Sequence, residues 1–461
     1  MSLSAVLTRI DADLQSSLDR LFDLLRIPSI SADPAYKADC ARAADWLAAE
    51  LTGIGFDTTV RPTPGHPMVV GHYTKAGPDK PHVLFYGHYD VQPVDPLELW
   101  DTPPFEPSIA TMPNGTKRIL ARGAEDDKGQ MMTFVEACRA YVAVTGALPL
   151  NVTILAEGEE ESGSPSLVPF LEANKAELSK QVAMICDTDM WNRDTPAIAC
   201  MLRGLVGEEF TISCADRDLH SGMFGGAALN PIHVLTKILA GLHDETGKVT
   251  LPGFYDGVID IPADLRANWD NLGFDGAAFL KDVGLTAPAG EVDRTVLEKI
   301  WARPTCEVNG IVGGYAGDGF KTVLPAKATA KVSFRLVGKQ DPVKLRAALR
   351  KYVKDSLPPS ASVTFHEHGG SPAVQLPFDS RELAAARAAL TEEWGKPAAI
   401  TGSGGSIPIA GYFRHILGMD ALMIGFGLPD DRIHSPNEKY ELQSFHKGMR
   451  SWARILTALA G

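Results

Sequence analysis

The sequence predicts an α/β protein: a mixed, largely parallel sheet covered by helices, interrupted by an inserted α+β domain. Three observations predict this. Up to Cys186, short and continuously apolar segments alternate with helical stretches of roughly 10–15 residues, the pattern of βαβ units. The middle of the chain instead alternates apolar with polar residues, as half-exposed antiparallel strands do. The first pattern then returns towards the C-terminus. With 461 residues, the chain exceeds the ~250–300 at which single cores stop growing. Two domains are therefore expected, a discontinuous one from 1–204 and 377–461 and an inserted one over 205–376.

Each element has its own signal. Tyr36–Leu51 sets Cys40, Ala43, Trp46, Leu47 and Leu51 on one helical face, with Gly53 as the stop. Val83–Tyr86 is a short apolar strand, followed by helix Lys128–Val144, strand Val152–Ala156, helix Pro165–Ala173 and strand Val182–Cys186. In the inserted block, Glu208–Cys214 sets Phe210 and Ile212 against Thr211 and Ser213. Helix Asn230–His243, strands Cys306–Val312 and Ala328–Val337, helix Pro342–Lys354 and strand Ser362–His366 complete an antiparallel sheet with two helices on one face. Thr246–Pro288, rich in Gly, Pro and Asp, shows no periodicity, and Gly369–Pro377 reads as a linker. Helix Ser380–Trp394, buried strand Ala421–Phe426 and helix Leu442–Leu459 close the chain.

Composition excludes several function classes. Lys and Arg number 44 against 57 Asp and Glu, a formal charge of −13. That balance argues against nucleic acid, which is bound through basic patches, and against docking on anionic membranes. The longest obvious apolar run, Ala421–Leu428, falls far short of the ~20 residues that span a bilayer. The N-terminal stretch carries Asp11 and Asp13 and lacks the basic start and apolar block of a secretion signal. Six scattered cysteines without a C-x-x-C pair read as reduced thiols of a cytoplasmic protein.

In parallel sheets, sites form beyond the carboxyl ends of the strands. Gly87-His88-Tyr89-Asp90, Glu157–Gly163 and Asp187-Thr188-Asp189 follow predicted strands, Arg122–Gly129 precedes a helix, and Arg432–Asn437 is a loop after the Ala421 strand. Singly, each is weak, because a His-x-Asp is ordinarily a turn pair and a Glu run a solvated face. Together they bring acids and imidazoles to one sheet edge. Like charges a few ångströms apart repel by on the order of several kcal/mol, unless solvent disperses them or cations sit among them. Two His with several Asp/Glu suit zinc or manganese, and the lack of clustered cysteine argues against a structural zinc knuckle. One carboxylate can then bridge two ions ~3.5–4 Å apart, the arrangement of a two-metal hydrolytic centre.

These segments together resemble the M20 family of dinuclear zinc aminoacylases and peptidases, closest to its branch of carnosinase and nonspecific dipeptidase. The matching stretches are Gly87–Pro93, Arg122–Gly129, Glu157–Ser164, Asp218–Gly226, Lys321–Pro325, Ser333–Val337, Gly404–Pro408 and His434–Lys439, in the family's order. The resemblance implies two divalent metal ions, zinc first and manganese as the alternative. His88 and Asp187 would hold one, Glu161 and His434 the other, and Asp126 would bridge them. Glu160 falls on the family's general base, and Asp90 on the acid that orients a ligating histidine. A cis peptide between Asp126 and Asp127 is also implied. Two registers stay open. Asp189 lies near the position of Asp187. Glu159 replaces an apolar residue of the dipeptidase branch, so a one-residue slip would make Glu159 the base and Glu160 the ligand; Ser162-Gly163-Ser164 favours the first register.

For the inserted block, the resemblance implies a lid that also makes a twofold homodimer. His220 would reach the partner's active site and steady the oxyanion. Thr322 and Arg335 would contact substrate, Arg335 as a bidentate clamp for a free C-terminal carboxylate. Gly405 and Ser406 would line the pocket for that carboxylate; the Gly404-Gly405-Ser406 loop lacks the lysine of a P-loop. The implied activity is metal-dependent hydrolysis of dipeptides or C-terminal residues by a metal-bridged water, with a small peptide as partner. The alternatives are an N-acyl-amino-acid or carbamoyl amidohydrolase on the same scaffold, and a non-catalytic dimeric binding protein.

Overall fold

The structure is a computed structural model that describes residues 2–404 and 408–461. The chain divides into two compact units, the first from Met1–Cys200, Leu376–Thr401 and Tyr412–Gly461, the second from Met201–Gln375 and Gly402–Gly411.

The first unit is built on a mixed sheet. Its strands run in the order Asp57–Arg61, Met68–Tyr73, Asn151–Glu157, His82–His88, Val182–Ile185, Ala421–Met423, Ala197–Leu202. The four central strands are parallel, and the flanking pairs are antiparallel. Every residue of Asn151–Glu157 and Val182–Ile185 is buried, as expected of strands covered on both faces. Register fixes the working edge. His88 pairs with Glu157, and Tyr86 with Ile185, so Asp187 emerges level with His88.

Helix Lys128–Thr145 lies against this sheet. Phe134 stacks on Phe85 with ring centres 3.9 Å apart, and Trp452 of helix Leu442–Ala460 meets both edge-on. The Trp452 indole donates to Thr133 Oγ1 at 3.0 Å, so its buried N–H is satisfied. Gly146, at φ 80°, ends the helix in the left-handed conformation that glycine adopts without a Cβ clash. The packing carries the helix's first residues, and the Asp126-Asp127 turn before them, to the carboxyl edge of the sheet.

The second unit has a four-stranded antiparallel sheet in the order Thr305–Gly313, Lys327–Leu336, Gly204–Ser213, Ser362–Ser371. Val206, Phe210, Ile212, Ala330, Val332 and Phe334 form a core with Leu235 and Ile238 of helix Pro231–Ala240 and with Leu345, Leu349 and Val353 of helix Pro342–Asp355. Glu208, in the same buried row, is matched by Arg346 at 3.0 Å and Arg350 at 2.8 Å.

Two expectations are corrected. The run 369–377 is not a plain linker: strand pairing continues through Gly370 and Ser371, and Val374 and Gln375 pair with Leu202 and Met201. Ladder bonds use only the backbone, so a glycine-rich composition hides them. The segment 246–288 contains helices Ala263–Asp270 and Gly276–Asp282, too short to display a period. Among the described residues no helix is long and apolar enough to cross a membrane. The six cysteines are free, and all but Cys214 are buried.

Candidate metal centre

The site lies on the carboxyl edge of the first unit's sheet. His88 ends its strand; Asp126 sits in the turn before helix Lys128–Thr145; Glu160 and Glu161 open the short turn Glu160–Ser162; Asp187 follows its strand. His434 comes from the loop 432–437, where Arg432, His434 and Asn437 all have positive φ. Such non-glycine conformations cost on the order of 1–3 kcal/mol each and persist only when surroundings impose them. Asn437 supplies part of that constraint: it accepts from the Asp101 amide at 2.7 Å and donates to the Leu99 carbonyl at 2.9 Å.

Asp126 is the hub. Its Oδ1 lies 3.1 Å from His88 Nε2 and its Oδ2 lies 3.0 Å from His434 Nε2. Glu161 Oε2 is 3.2 Å from the same His434 nitrogen. Two groups result, His88–Asp126–Asp187 and Asp126–Glu161–His434, each with ligand atoms within 4.8 Å of one another. The Asp126-Asp127 peptide is cis. Glu160 Oε2 stands 4.0 Å from His88 Nε2. The hydrogen bonds to Asp126 and Glu161 push the His434 imidazole up to about 10. Burial raises the carboxyls of Glu160 and Asp187 above the usual range. Asp126, though buried, is held below that range by its contacts to His434 and His88.

The donor set fits divalent metal ions. His88 is fully buried, yet its Nε2 has no aligned hydrogen-bond partner; a polar atom in that state is costly unless something other than protein satisfies it. The oxygen and imidazole donors are those that zinc and manganese take, and Asp126 presents one oxygen to each group.

A layer of acids around the ligands does different work. Asp90 Oδ1 and Oδ2 accept from the amides of Glu160 at 3.3 Å and Glu161 at 3.0 Å, and its backbone carbonyl lies 3.1 Å from His88 Nδ1. Glu159 Oε1 and Oε2 accept from the amides of His66 at 2.8 Å and Ser166 at 3.1 Å, so its carboxylate points away from the histidines. Asp189 belongs to neither ligand group. Three residues inside the quoted motifs acquire roles that sequence reasoning missed. Glu438 accepts from Arg122 and from the amides of Gly123, Glu125 and Asp126. Asp127 Oδ2 accepts from the His88 amide at 2.9 Å, and Gln92 donates to Glu161 Oε2 at 2.8 Å. Only their membership in a motif could have flagged them.

In the second unit, His220 and Thr322 come together where Leu219–His220 pairs with Val323–Leu324, and the Ser221 amide donates to the Thr322 carbonyl at 3.1 Å. His220 is exposed and its Nδ1 accepts from the Gly222 amide at 3.0 Å. Arg335 is half-buried on its strand, opposite Thr305 and Leu205. Gly405 and Ser406 lie outside the described residues.

The chain is similar to known metallopeptidases over nearly its whole length. The chain is 30% identical to the Cys-Gly metallodipeptidase DUG1 of Saccharomyces cerevisiae, over 99% of this chain and 98% of the yeast protein. The M20 family metallo-carboxypeptidase Sso-CP2 from Sulfolobus solfataricus superposes with a TM-score of 0.75 at 29% identity, covering 96% of this chain and 99% of its own. Human carnosine dipeptidase 1 superposes with a TM-score of 0.72 at 26% identity, covering 100% and 99%. The sequence model of Peptidase family M20/M25/M40 matches residues 84–458, and the chain is a member of that peptidase family.

Proposed function

We propose that the protein is a dinuclear metallodipeptidase that cleaves the peptide bond next to a free C-terminal carboxylate. The observation that carries this reading is Asp126, whose two oxygens each face one histidine in two adjoining ligand groups. Relatives named as dipeptidases, alignable over nearly their whole length, support it. His88 and Asp187 would hold one ion, Glu161 and His434 the other, with Asp126 between them, zinc being the expected metal and manganese the alternative. Bound there, such ions supply Lewis-acid polarisation of the scissile carbonyl and lower the pKa of water.

The remaining work falls to the chain's own residues. The Asp90 carboxylate holds the amides of Glu160 and Glu161 while its backbone carbonyl faces His88 Nδ1, so one residue sets ligands and base together. Glu160 Oε2 takes a proton from the attacking water and returns it to the leaving amine; its raised pKa suits both transfers. Because His220 Nδ1 accepts a backbone N–H, its proton sits on Nε2. That nitrogen donates to the developing oxyanion across a twofold dimer. Arg335, with Thr322, Gly405 and Ser406, would hold the substrate's carboxylate. Exposed Val308, Ile311 and Val312 on the edge strand Thr305–Gly313 support a homodimer through this lid. Light scattering should then return twice 49.5 kDa; a monomer would refute it. The reduced, mostly buried thiols support a cytoplasmic setting.

Chelation and dialysis should abolish hydrolysis of a dipeptide panel, and Zn²⁺ or Mn²⁺ should restore it. Activity indifferent to metal removal would sink the reading. A preference for N-acetylated over free dipeptides would assign the site to an amidohydrolase instead.

A further inference from the structure

None of the residues proposed for this chemistry lies in the segment 246–303, which is nonetheless internally braced. Its last helix, Val296–Trp301, starts with a capping box between Thr295 and Glu298. Glu298, buried, pairs with Arg266 and Arg294, while Arg303 donates to Glu291 at 2.8 Å. Trp301 meets Trp269 edge-on at 5.1 Å. This helix ends against the strand that leads to Gly404. A Cβ at Gly402 would stand 2.7 Å from Trp301 Cβ, and one at Gly404 would stand 3.0 Å from Arg203 Nη2 and 3.3 Å from the Ile300 carbonyl oxygen. A side chain at Gly402 would clash with Trp301, and one at Gly404 would press on Arg203 and the helix carbonyl.

Arg203 lies where these pieces meet. Its Nε–H donates to the Gly404 carbonyl at 3.3 Å and its Nη1 to the Lys299 carbonyl at 3.4 Å; its backbone N–H donates to the Ser403 carbonyl at 3.4 Å. Lys299 is in the last turn of its helix, where carbonyls have no partner within the helix. Arg203 also precedes the strand that pairs with Arg335's: Gly204 faces Leu336, and Leu205 faces Arg335. Burial, then the charge of Arg335, lowers the Arg203 guanidinium to about 10. Arg335 repels the Arg203 guanidinium and Glu307 partly offsets that repulsion, so removing the Arg203 charge changes the field at Arg335.

We propose that Arg203 is a positioning residue that joins the inserted segment 246–303 to the strand end at Gly404, and so sets the preference for substrates ending in a free carboxylate. The inference rests on the reading of Arg335 as the carboxylate clamp. Arg203 acts through Gly404 and through its charge beside Arg335. Its planar fork suits two divergent carbonyls, and lysine would keep the charge but not the fork.

The test compares a dipeptide with its C-terminal amide on Arg203→Met, Arg203→Lys and Trp301→Ala enzymes, each checked for its unfolding temperature. In Arg203→Met the preference for the free acid, as a ratio of kcat/KM, should fall at least about 10-fold, through KM and with kcat within about 3-fold. Trp301→Ala should shift the ratio in the same direction from the side of the insertion, and Arg203→Lys should fall between. If Arg203→Met does not fold, the other two variants decide by the same ratio. Equal losses on both substrates, or an unchanged ratio, would overturn the inference. A wild-type enzyme that hydrolyses both substrates equally would overturn the reading of Arg335 instead.

Discussion

Replacing Glu438 by glutamine tests whether the site depends on acids that never meet a ligand. Glu438 and Arg122 are 0% and 1% exposed and pair at 2.7 Å. The Glu438 carboxylate also accepts from the amides of Gly123 at 2.9 Å, Glu125 at 2.9 Å and Asp126 at 3.2 Å. Glu438→Gln preserves the shape but turns one acceptor into a donor facing N–H groups, and leaves Arg122 buried without a counter-charge. Breaking a buried pair in this way costs about 3–5 kcal/mol. At about 2–4 °C per kcal/mol for large domains, Tm should fall by roughly 6–20 °C. The Asp126 amide loses its anchor as well, so metal should bind more weakly even at temperatures where the protein stays folded. Differential scanning fluorimetry and metal titration read the two effects. The double variant Arg122→Met/Glu438→Gln should recover part of the lost stability, because the unpaired charge is gone. A Tm within about 2 °C of wild type in Glu438→Gln, with unchanged metal affinity, would refute the argument.

Three further outcomes are expected. Glu160→Gln should keep its metal content while kcat falls about 10²–10⁴-fold; normal turnover would reassign the base. Glu159→Ala should leave two buried amides unpaired at about 1–3 kcal/mol each and retain metal, whereas Glu161→Ala should lose metal; the reverse pattern would mean that the glutamate register is wrong. Burial, with Lys180 and His72 nearby, lowers His82 from 6.5 to about 4. Because the unfolded chain then binds the proton more tightly, this stability is complete above about pH 6.5 and is lost as pH falls towards about 4. The full shift would be ~3.4 kcal/mol, and solvent screening of a half-buried ring reduces it to about 1–2 kcal/mol. Stability from urea unfolding should therefore fall more between about pH 7.5 and 4.5 in wild type than in His82→Gln, and equal losses would discard the assignment.

That the candidate metal-binding residues share one edge was legible because parallel strands end together. Once Val83–Tyr86, Val152–Ala156 and Val182–Cys186 are read as neighbours, His88, the glutamate run and Asp187 must share an edge, and the pairing of His88 with Glu157 and Tyr86 with Ile185 bears this out. The strand pairing of residues 370–375 and the short helices of 246–288 were not legible, because backbone bonds and single helical turns leave no period in the side chains. Nor could sequence separate acids that face the histidines from acids that hold the backbone. Glu159, Glu160 and Glu161 are chemically alike, and only the destination of their oxygens tells them apart. Glu159 accepts two amides, Glu161 faces His434, and Glu160 stands beside His88.

That division explains how so acidic a cluster folds. Asp90, Asp127, Glu159 and Glu438 are buried, and their oxygens accept from the amides of Glu160 and Glu161, of His88, of His66 and Ser166, and of Gly123, Glu125 and Asp126. Backbone N–H dipoles, with Arg122, thus satisfy these four carboxyls within the fold, where burial pushes Asp127 and Glu438 towards the neutral form. The carboxylates of Asp126, Glu161 and Asp187 are left facing imidazoles and one another, a surplus of negative charge that divalent cations would neutralise. The anchoring acids also set the loops from which those ligands project, since the amides of Asp126 and Glu161 are themselves among the donors. Removing an anchor should therefore weaken metal binding without touching a ligand, which a loss of charge alone would not predict.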